Sequence, residues 1–537
     1  MRELRTQVLV AGGGLGGVAA ALAAAEGGAG VVLTAAGPWL GGQLTSQAVP
    51  LDEHPWAERF GVTARYRRLR DGIRAYYRAH YPLTAAARAL PHLNPGASRV
   101  SALSHEPRVA LAVLEAMLAP HRSSGRLRVL HGLVPAGAET DGDRVEAVRF
   151  RDAESGDELV IVADLVLDAT ETGELLPLCG AEHVTGAESR EATGEPHAPA
   201  VAQPLNMQPV TACFALDHVA GEDHTIERPA AYGAWKARRW EGWPAGQLSL
   251  LAPDPRTNAP VPRTFTPNPA GDPAAVGPDL GDPSLDRELW LFRRIAARGH
   301  FEPGAYPSDI TLVNWPQNDY REGPVFGVHD AWAHAAAARE LSLCLLHWLQ
   351  TEVPRADGGA GRPGLRLRGD VTGDAADGLA PDLYIRESRR IRGEVTIAEQ
   401  DVAFDVRGEH GAVEYADSAG IGAYRIDLHP STGGDPFIDI ACCPFQIPLG
   451  ALIPVRLDNL LAAAKDIATT HIANGAYRLH PVEWNVGEAA GRLAAFCLRT
   501  GTLPRAVRAD PDRRTAFQAE LGRAGVELRW PSSVHAY

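Results

Sequence analysis

The sequence predicts an α/β protein that opens with a Rossmann-like nucleotide-binding unit and contains more than one subdomain. Two observations carry this. The chain has 537 residues, more than one simple core accommodates. Residues 8–43, VLVAGGGLGGVAAALAAAEGGAGVVLTAAGPWLGGQ, read as strand, glycine loop, helix and strand in immediate succession.

The elements follow in order. Thr6–Ala11 is a valine-rich apolar run, the pattern of a buried parallel strand. Gly12, Gly14 and Gly17 stand in G-x-G-x-x-G spacing, with Gly13 and Gly16 between them. In that pattern the first glycine permits the turn, the second lets backbone approach a diphosphate, and the third lets helix pack on sheet. An alanine-rich helix runs from Leu15 to about Glu26, and its first amides are free to meet phosphates. A second strand covers Gly30–Thr34. A secretory leader is not expected, because glycines sit where its apolar region should be and a second apolar strand follows at once. The acid that holds a ribose is expected about twenty residues on, at Thr34 or Ala35; no Asp or Glu occurs between Glu26 and Asp52. Thr34, backbone groups or Trp39 would have to serve instead. A flavin dinucleotide, gripped along its whole length, tolerates this loss better than NAD.

Composition narrows the function classes. The net charge of −14 argues against nucleic-acid and anionic-membrane partners. The six cysteines form no C-x-x-C pair, so neither a disulfide framework nor a metal site is expected, and a reducing cytoplasm fits. No run is long and apolar enough to span a membrane. H-E-x-x-H, G-x-S-x-G and P-loop motifs are absent.

Further along, Arg108–Ala119 is helical in pattern, ending near Pro120, and Leu127–Leu133 is strand-like. Arg144–Arg151 and Glu158–Val162 alternate like a hairpin, and Asp164–Ala169 reads as a buried strand. Asp330–Gln350 is a strong helix with Trp332, Leu341, Leu345 and Trp348 on one apolar side. Proline and glycine cluster at 252–283 and 353–381 as long loops. SAGIGAY (418–424) lacks the rest of a second nucleotide motif and reads as a loop, so no separate NAD(P)H domain is expected.

Four stretches carry a family resemblance: PWLGGQLTSQAVPLDEHP (38–55), LVLDATETGELLPLCGAEH (165–183), YIRESRRIRGEVTIAEQDV (384–402) and FQIPLGALIPVRLDNLLAAAKDIATTHIANGAYRLHPVEWNVGEAAGRLAAFC (445–497). Together with the glycine loop they resemble the FAD-dependent oxidoreductases of the glutathione-reductase-like superfamily. The resemblance implies FAD, and a discontinuous Rossmann-like FAD-binding domain built from 1–50, 105–185 and 441–500. It also implies a connecting segment at 51–104, a mixed α+β substrate domain inserted at 186–440, and a C-terminal extension at 501–537. The implied cofactor contacts are Gly12, Gly13, Gly14, Leu15, Gly16 and Gly17 at the diphosphate. Thr34, Ala35, Trp39, Arg108 and Val134 fall toward the adenosine, and Ala169, Thr170 and Gly173 in the returning turn. Gly42, Gln43, Leu44 and Gln47 are expected near the ring, and Asp466 on the ribityl or diphosphate groups. A helix entering after Pro481 would aim its N-terminus, near Asn485 and Val486, at the ring. Ala35 stands where the family has an acid, and Trp39 where a basic residue is common.

For catalysis a proton acceptor is needed beside the flavin. His480, preceding the capping helix, is the first candidate and His429 the second. Glu483, in the helix's first turn, complements the dipole, orients His480 or meets a cationic substrate. Arg386 and Arg478 are candidates for a substrate carboxylate, whereas Arg390 reads as part of a solvated face. The expected reaction is hydride removal from a small polar substrate, with oxygen or another acceptor as final oxidant. A flavin monooxygenase using NAD(P)H and oxygen is the alternative, and a non-redox carbohydrate lyase or binding protein retaining FAD a further one.

Overall fold

The computed structural model describes residues 2–270 and 287–534. Its main sheet begins with β1 (Arg2–Ala11), whose first half alternates in exposure and whose last four residues are wholly buried. Helix α1 (Leu15–Glu26) returns the chain to β2 (Val31–Ala35), parallel to β1. Helix α2 (Ala64–His80) packs on α3 (Pro107–Ser123), which leads to β3 (Leu127–His131) beside β2. Three antiparallel strands follow: β4 (Leu133–Asp141), β5 (Arg144–Asp152) and β6 (Glu158–Asp168).

The order across the sheet is β3-β2-β1-β6-β5-β4. Strand β6 is long enough to serve two partners on one edge. Its first residues pair with β5, and Val166–Asp168 pair in parallel with a strand from far downstream at Leu460–Ala462. The central parallel strands are covered on both faces, which explains their unbroken apolar runs.

A second core lies in the chain between β6 and that late strand. Its sheet is antiparallel, in the order β8 (Arg294–Ala296), β9 (Ile310–Val313), β7 (Phe214–His218) and β10 (Leu365–Leu367). Helix α4 (Ala331–Thr351) contributes Leu341, Leu345 and Trp348 to this core beside Phe214, Trp290 and Trp315. Strand β11 (Ser418–Gly422) then pairs with β12 (Phe445–Pro448), β13 is the strand at Leu460–Ala462, and helices α5 (His471–Tyr477) and α6 (His480–Thr500) complete the site.

Several expectations are corrected. The run at 127–133 is two strands, because Gly132 adopts φ +75° and turns the chain. Helix α3 continues through Pro120 to Ser123. Residues 418–422 form a strand rather than a loop, its glycines pressed against Asn485 and Phe445. Trp332 lies outside the core at 76% exposure, since only the later turns of α4 face the sheet. Helix α6 starts at His480, not after Pro481. Of the expected loop at 252–283, residues 271–283 lie outside the described residues. All six cysteines are free and buried; burial raises Cys442 to about 12 and also raises Cys443, which removes them from thiolate chemistry at neutral pH. Among the described residues no helix is long and apolar enough to cross a membrane.

The contact that positions the site is the crossing of α6 over α1. A Cβ built on Gly487 would lie 2.0 Å from Gly16 O, and one on Gly491 2.2 Å from Ala20 O. The backbones therefore touch, and both helices are buried almost throughout. Gly487→Val is expected to destabilise the fold by about 3 kcal/mol through overpacking against rigid backbone. Urea denaturation checks this, and an unchanged midpoint would contradict the crossing.

Candidate active site

The N-terminus of α1 meets a second tight turn. Gly14 caps α1 in extended conformation and offers no side-chain cap, and in the first turn Gly16 N–H is met instead by Glu483 Oε1 at 3.1 Å. Gly41 and Gly42 take φ +106° and +48°, and Gly41 N–H donates to Gly13 O at 2.8 Å, tying the turns together. Gln43, Leu44 and Gln47 are buried beyond this turn. Gln43 Nε2 donates to Arg478 O at 3.2 Å and to Glu483, while its Oε1 has no partner. Gln47 Oε1 accepts from Ile385 N–H at 3.4 Å and its Nε2 has no partner. A helix N-terminus beside orphaned buried polar atoms suits the diphosphate and polar ring edge of FAD.

The returning turn is partly satisfied from within, although Asp168 Oδ2 is buried without a partner. Ala169 N–H donates to Ala11 O at 2.7 Å, and Thr170 Oγ1 donates to Asp168 Oδ1 at 2.6 Å. Gly173, at φ +63°, lies against Arg389. Asp466 Oδ1 accepts from Ala464 N–H at 3.0 Å and its Oδ2 has no partner. Burial, then the Asp168 charge, pushes Asp466 well above the usual carboxylate range; burial lifts Asp168 to about 7.

At the adenosine end, a Cβ on Gly13 would lie 2.7 Å from Ala35 Cβ and 2.8 Å from Leu40 Cδ2, so position 13 has no room for a side chain beside β2. Thr34 is buried within β2, and Val134 is half-buried in β4 opposite Arg151. Arg108 lies over the Trp39 ring, 5.1 Å from its centroid, and also bonds Asp370 O and the Asp374 carboxylate. The one carboxylate on Arg108 is that of Asp374; Asp370 contributes its backbone carbonyl there, and its carboxylate pairs with Arg368.

A cavity of about 230 Å³ opens on the second core's side. Asp52, Arg293, Asn314, Tyr424, Asp427 and His429 line it. His429 Nδ1 is 2.5 Å from Asp319 Oδ2, and its Nε2 is 3.8 Å from Asp427 Oδ2. Asp319 is buried; burial opposes its charge, but Arg386 and His429 overcome this and hold it well below the usual range. Arg386 Nη2 donates to Asp319 Oδ1 at 3.0 Å, and Thr211 Oγ1 donates to the same atom at 2.5 Å. Asp427 also receives Arg478 Nη2 at 3.1 Å, and Arg478 Nη1 donates to Tyr384 Oη at 2.7 Å. This chain of contacts links the cavity to Gln43 and the glycine loop. At the cavity wall Arg293 and Asp52 form a loose 3.4 Å pair, and Arg293 Nε, Asp52 Oδ1 and Asn314 Nδ2 are buried without partners.

The expected catalytic residues separate on this geometry. His480 is corrected as proton acceptor. Its Nδ1 accepts Asp52 N–H at 3.1 Å, so the ring hydrogen sits on Nε2, which has no partner. Burial, then Arg293, His105 and Lys465, drive His480 well below its usual value and keep it neutral. Glu483 does not orient His480: its Oε1 accepts Gly16 N–H at 3.1 Å, across the helix crossing. The two Nη groups of Arg386 are taken by Pro209 O, Thr211, Asn314 and Asp319, and its buried Nε has no partner. Arg478 pairs with Tyr384 and Asp427, and its Nε likewise has no partner. Arg390 is fully buried with Glu387 and Glu188, not on a solvated face. Asn485 and Val486 lie in the second turn of α6, where amides bond within the helix, and Asn485 Nδ2 donates to Ile421 O at 3.0 Å. They are therefore corrected as amide donors to the ring. Sequence reading missed Asp319, Asp52, Arg293, Lys465 and Glu171; only Asp427 left a signal, two residues before His429 on a strand. Among the described residues no cluster of His, Cys, Asp or Glu is placed to hold a metal.

No curated protein sequence matches the chain. Solved structures with distant similarity include the L-proline dehydrogenase of P. horikoshii, at 14% identity over 34% of this chain and 24% of that one, TM-score 0.19. Another is the FAD-complexed glycerol-3-phosphate dehydrogenase of Bacillus halodurans, at 15% identity over 40% of each chain, TM-score 0.24. The E. coli quinol fumarate reductase aligns with 97% of this chain and 74% of its own, at 11% identity and TM-score 0.33. The chain thus spans about a quarter and two fifths of the length of the first two. The family described as FAD dependent oxidoreductase matches residues 7–521. With that match over nearly the whole length, the chain belongs to the FAD-dependent oxidoreductase family, and its cofactor is FAD.

Proposed function

We propose that this protein oxidises a small polar molecule held in the cavity beside His429, with His429 as the base that takes the substrate's O–H or N–H proton. The observation that carries this is the Asp319–His429 pair. Nδ1 pairs with the Asp319 carboxylate, which fixes the ring and turns Nε2 toward the cavity beside Asp427 at 3.8 Å; in the neutral form of the ring, Nε2 is the atom that takes the substrate's proton. Arg386 and Thr211 keep Asp319 ionised and oriented. When bound, FAD supplies the hydride acceptor. The diphosphate is assigned to Gly12–Gly17, and the ring to Gln43, Leu44, Gln47 and the start of α6, where neutral His480 donates through Nε2. Asp466 offers a carboxyl to the ribityl chain, and Trp39 with Arg108 a platform to the adenosine. Asp52, Arg293 and Asn314 bring one acceptor and two donors to the substrate's polar groups. Residues around the second core supply most of the cavity wall, which makes it the substrate-binding part.

Replacing His429 by Asn is expected to leave FAD content unchanged and slow anaerobic bleaching of the flavin by substrate roughly 10²–10⁴-fold. Compounds carrying a C–H beside O–H or N–H are the ones to screen. Bleaching by no such compound, with NAD(P)H-driven oxygen consumption instead, would overturn the oxidase reading. Gly14→Val tests the cradle separately. The nearest atom to its new Cβ is the flexible end of Glu171 at 2.7 Å, so the fold should survive. FAD retention should fall at least about tenfold, since side-chain bulk keeps backbone from the diphosphate. Protein that is yellow at full stoichiometry would contradict the assignment.

A further inference from the structure

The N-terminus of α1 suits a doubly negative diphosphate, yet two of the chain's own carboxylates stand there. Glu171 Oε1 would lie 2.7 Å from a Cβ on Gly14 and 2.6 Å from one on Gly42. The carboxylate thus occupies the hollow that these two glycines keep open. Glu171 Oε2 pairs with Lys465 Nζ at 2.7 Å, and Lys465 reaches Glu483 Oε2 at 3.4 Å. Glu483 Oε1 takes the Gly16 N–H that a phosphate would otherwise use.

Two carboxylates share the one ammonium, so no positive charge is left unpaired for a cofactor; burial raises Glu483 above the usual carboxylate range and Lys465 opposes that rise. Asp382, Tyr384 and His480 are the other titratable groups that interact with this cluster. None adds a positive charge, His480 being neutral. Burial opposes the Lys465 charge, but Glu171 and Glu483 outweigh it and hold the ammonium protonated. A diphosphate added to this arrangement would meet like charges in a place with little water. One member has somewhere to go. The Glu171 side chain is 27% exposed, whereas Lys465 and Glu483 are each 1% exposed.

We propose that Glu171 is a displaceable counter-ion of the cofactor site. It fills the diphosphate cradle of the cofactor-free protein and turns to solvent when FAD binds, and Lys465 passes from the Glu171 carboxylate to a phosphate oxygen. The exchange concerns cofactor capture and is independent of the oxidation proposed above.

The test is titration of FAD into full-length apo-protein, followed by the quenching of flavin fluorescence. Removing the competing charge in Glu171→Gln should tighten FAD binding on the order of tenfold and speed association, and Lys465→Met should weaken it by a similar factor. Unchanged or weaker binding by folded E171Q overturns the proposal. A crystal structure of the FAD-bound wild type needs no variant. It should show Lys465 Nζ within about 3.5 Å of a phosphate oxygen and Glu171 turned outward. An intact Glu171–Lys465 pair beside bound FAD overturns it.

Discussion

Gly487 and Gly491 bring the backbone of α6 onto that of α1, and most of the site depends on this contact. It places Glu483 within reach of the Gly16 amide although the two residues are 467 positions apart. It sets His480 over the 42–52 loop, where Asp52 N–H fixes its tautomer. It also stations Arg478 where its carbonyl accepts from Gln43 and its guanidinium donates to Asp427. A close helix crossing of this kind tolerates no Cβ, because the opposing atoms are backbone and cannot rotate away. The glycines are therefore structural in a strict sense, and the chemistry-bearing residues inherit their positions from them.

Around this crossing the protein buries an unusual number of charges, and nearly all are held by direct partners. Arg386 with Asp319, Arg390 with Glu387 and Lys465 with Glu171 are examples. Such pairs add little net stability, because desolvation offsets their attraction. Their worth lies in fixing orientation and protonation. Asp319 is kept anionic beside His429, while His480, without a carboxylate, is kept neutral. Two histidines close to one site thus stand in opposite electrostatic settings, which is what the proposed division of roles between them uses.

The parts that could be read from sequence were those governed by local rules. The β1–α1–β2 unit follows from a valine run, glycine spacing and an alanine helix, and the structure agrees to within a few residues. The cofactor followed from four quoted stretches in order. Elements that depend on distant partners were harder. Glycines at 420 and 422 suggested a loop, yet they lie in a strand because Asn485 and Phe445 need that space. Nothing local marks Asp319 as the partner of His429, which is 110 residues away. His480 looked like the base because it opens α6; its burial and the Asp52 amide, which reverse that role, are tertiary facts.

The central claim is that FAD lies across the α1–α6 junction. Hydrogen–deuterium exchange of the apo-protein with and without FAD tests it most directly. Added FAD should slow exchange at residues 13–17, 42–47 and 464–480. Protection confined to other regions, with these amides unchanged, would contradict the account.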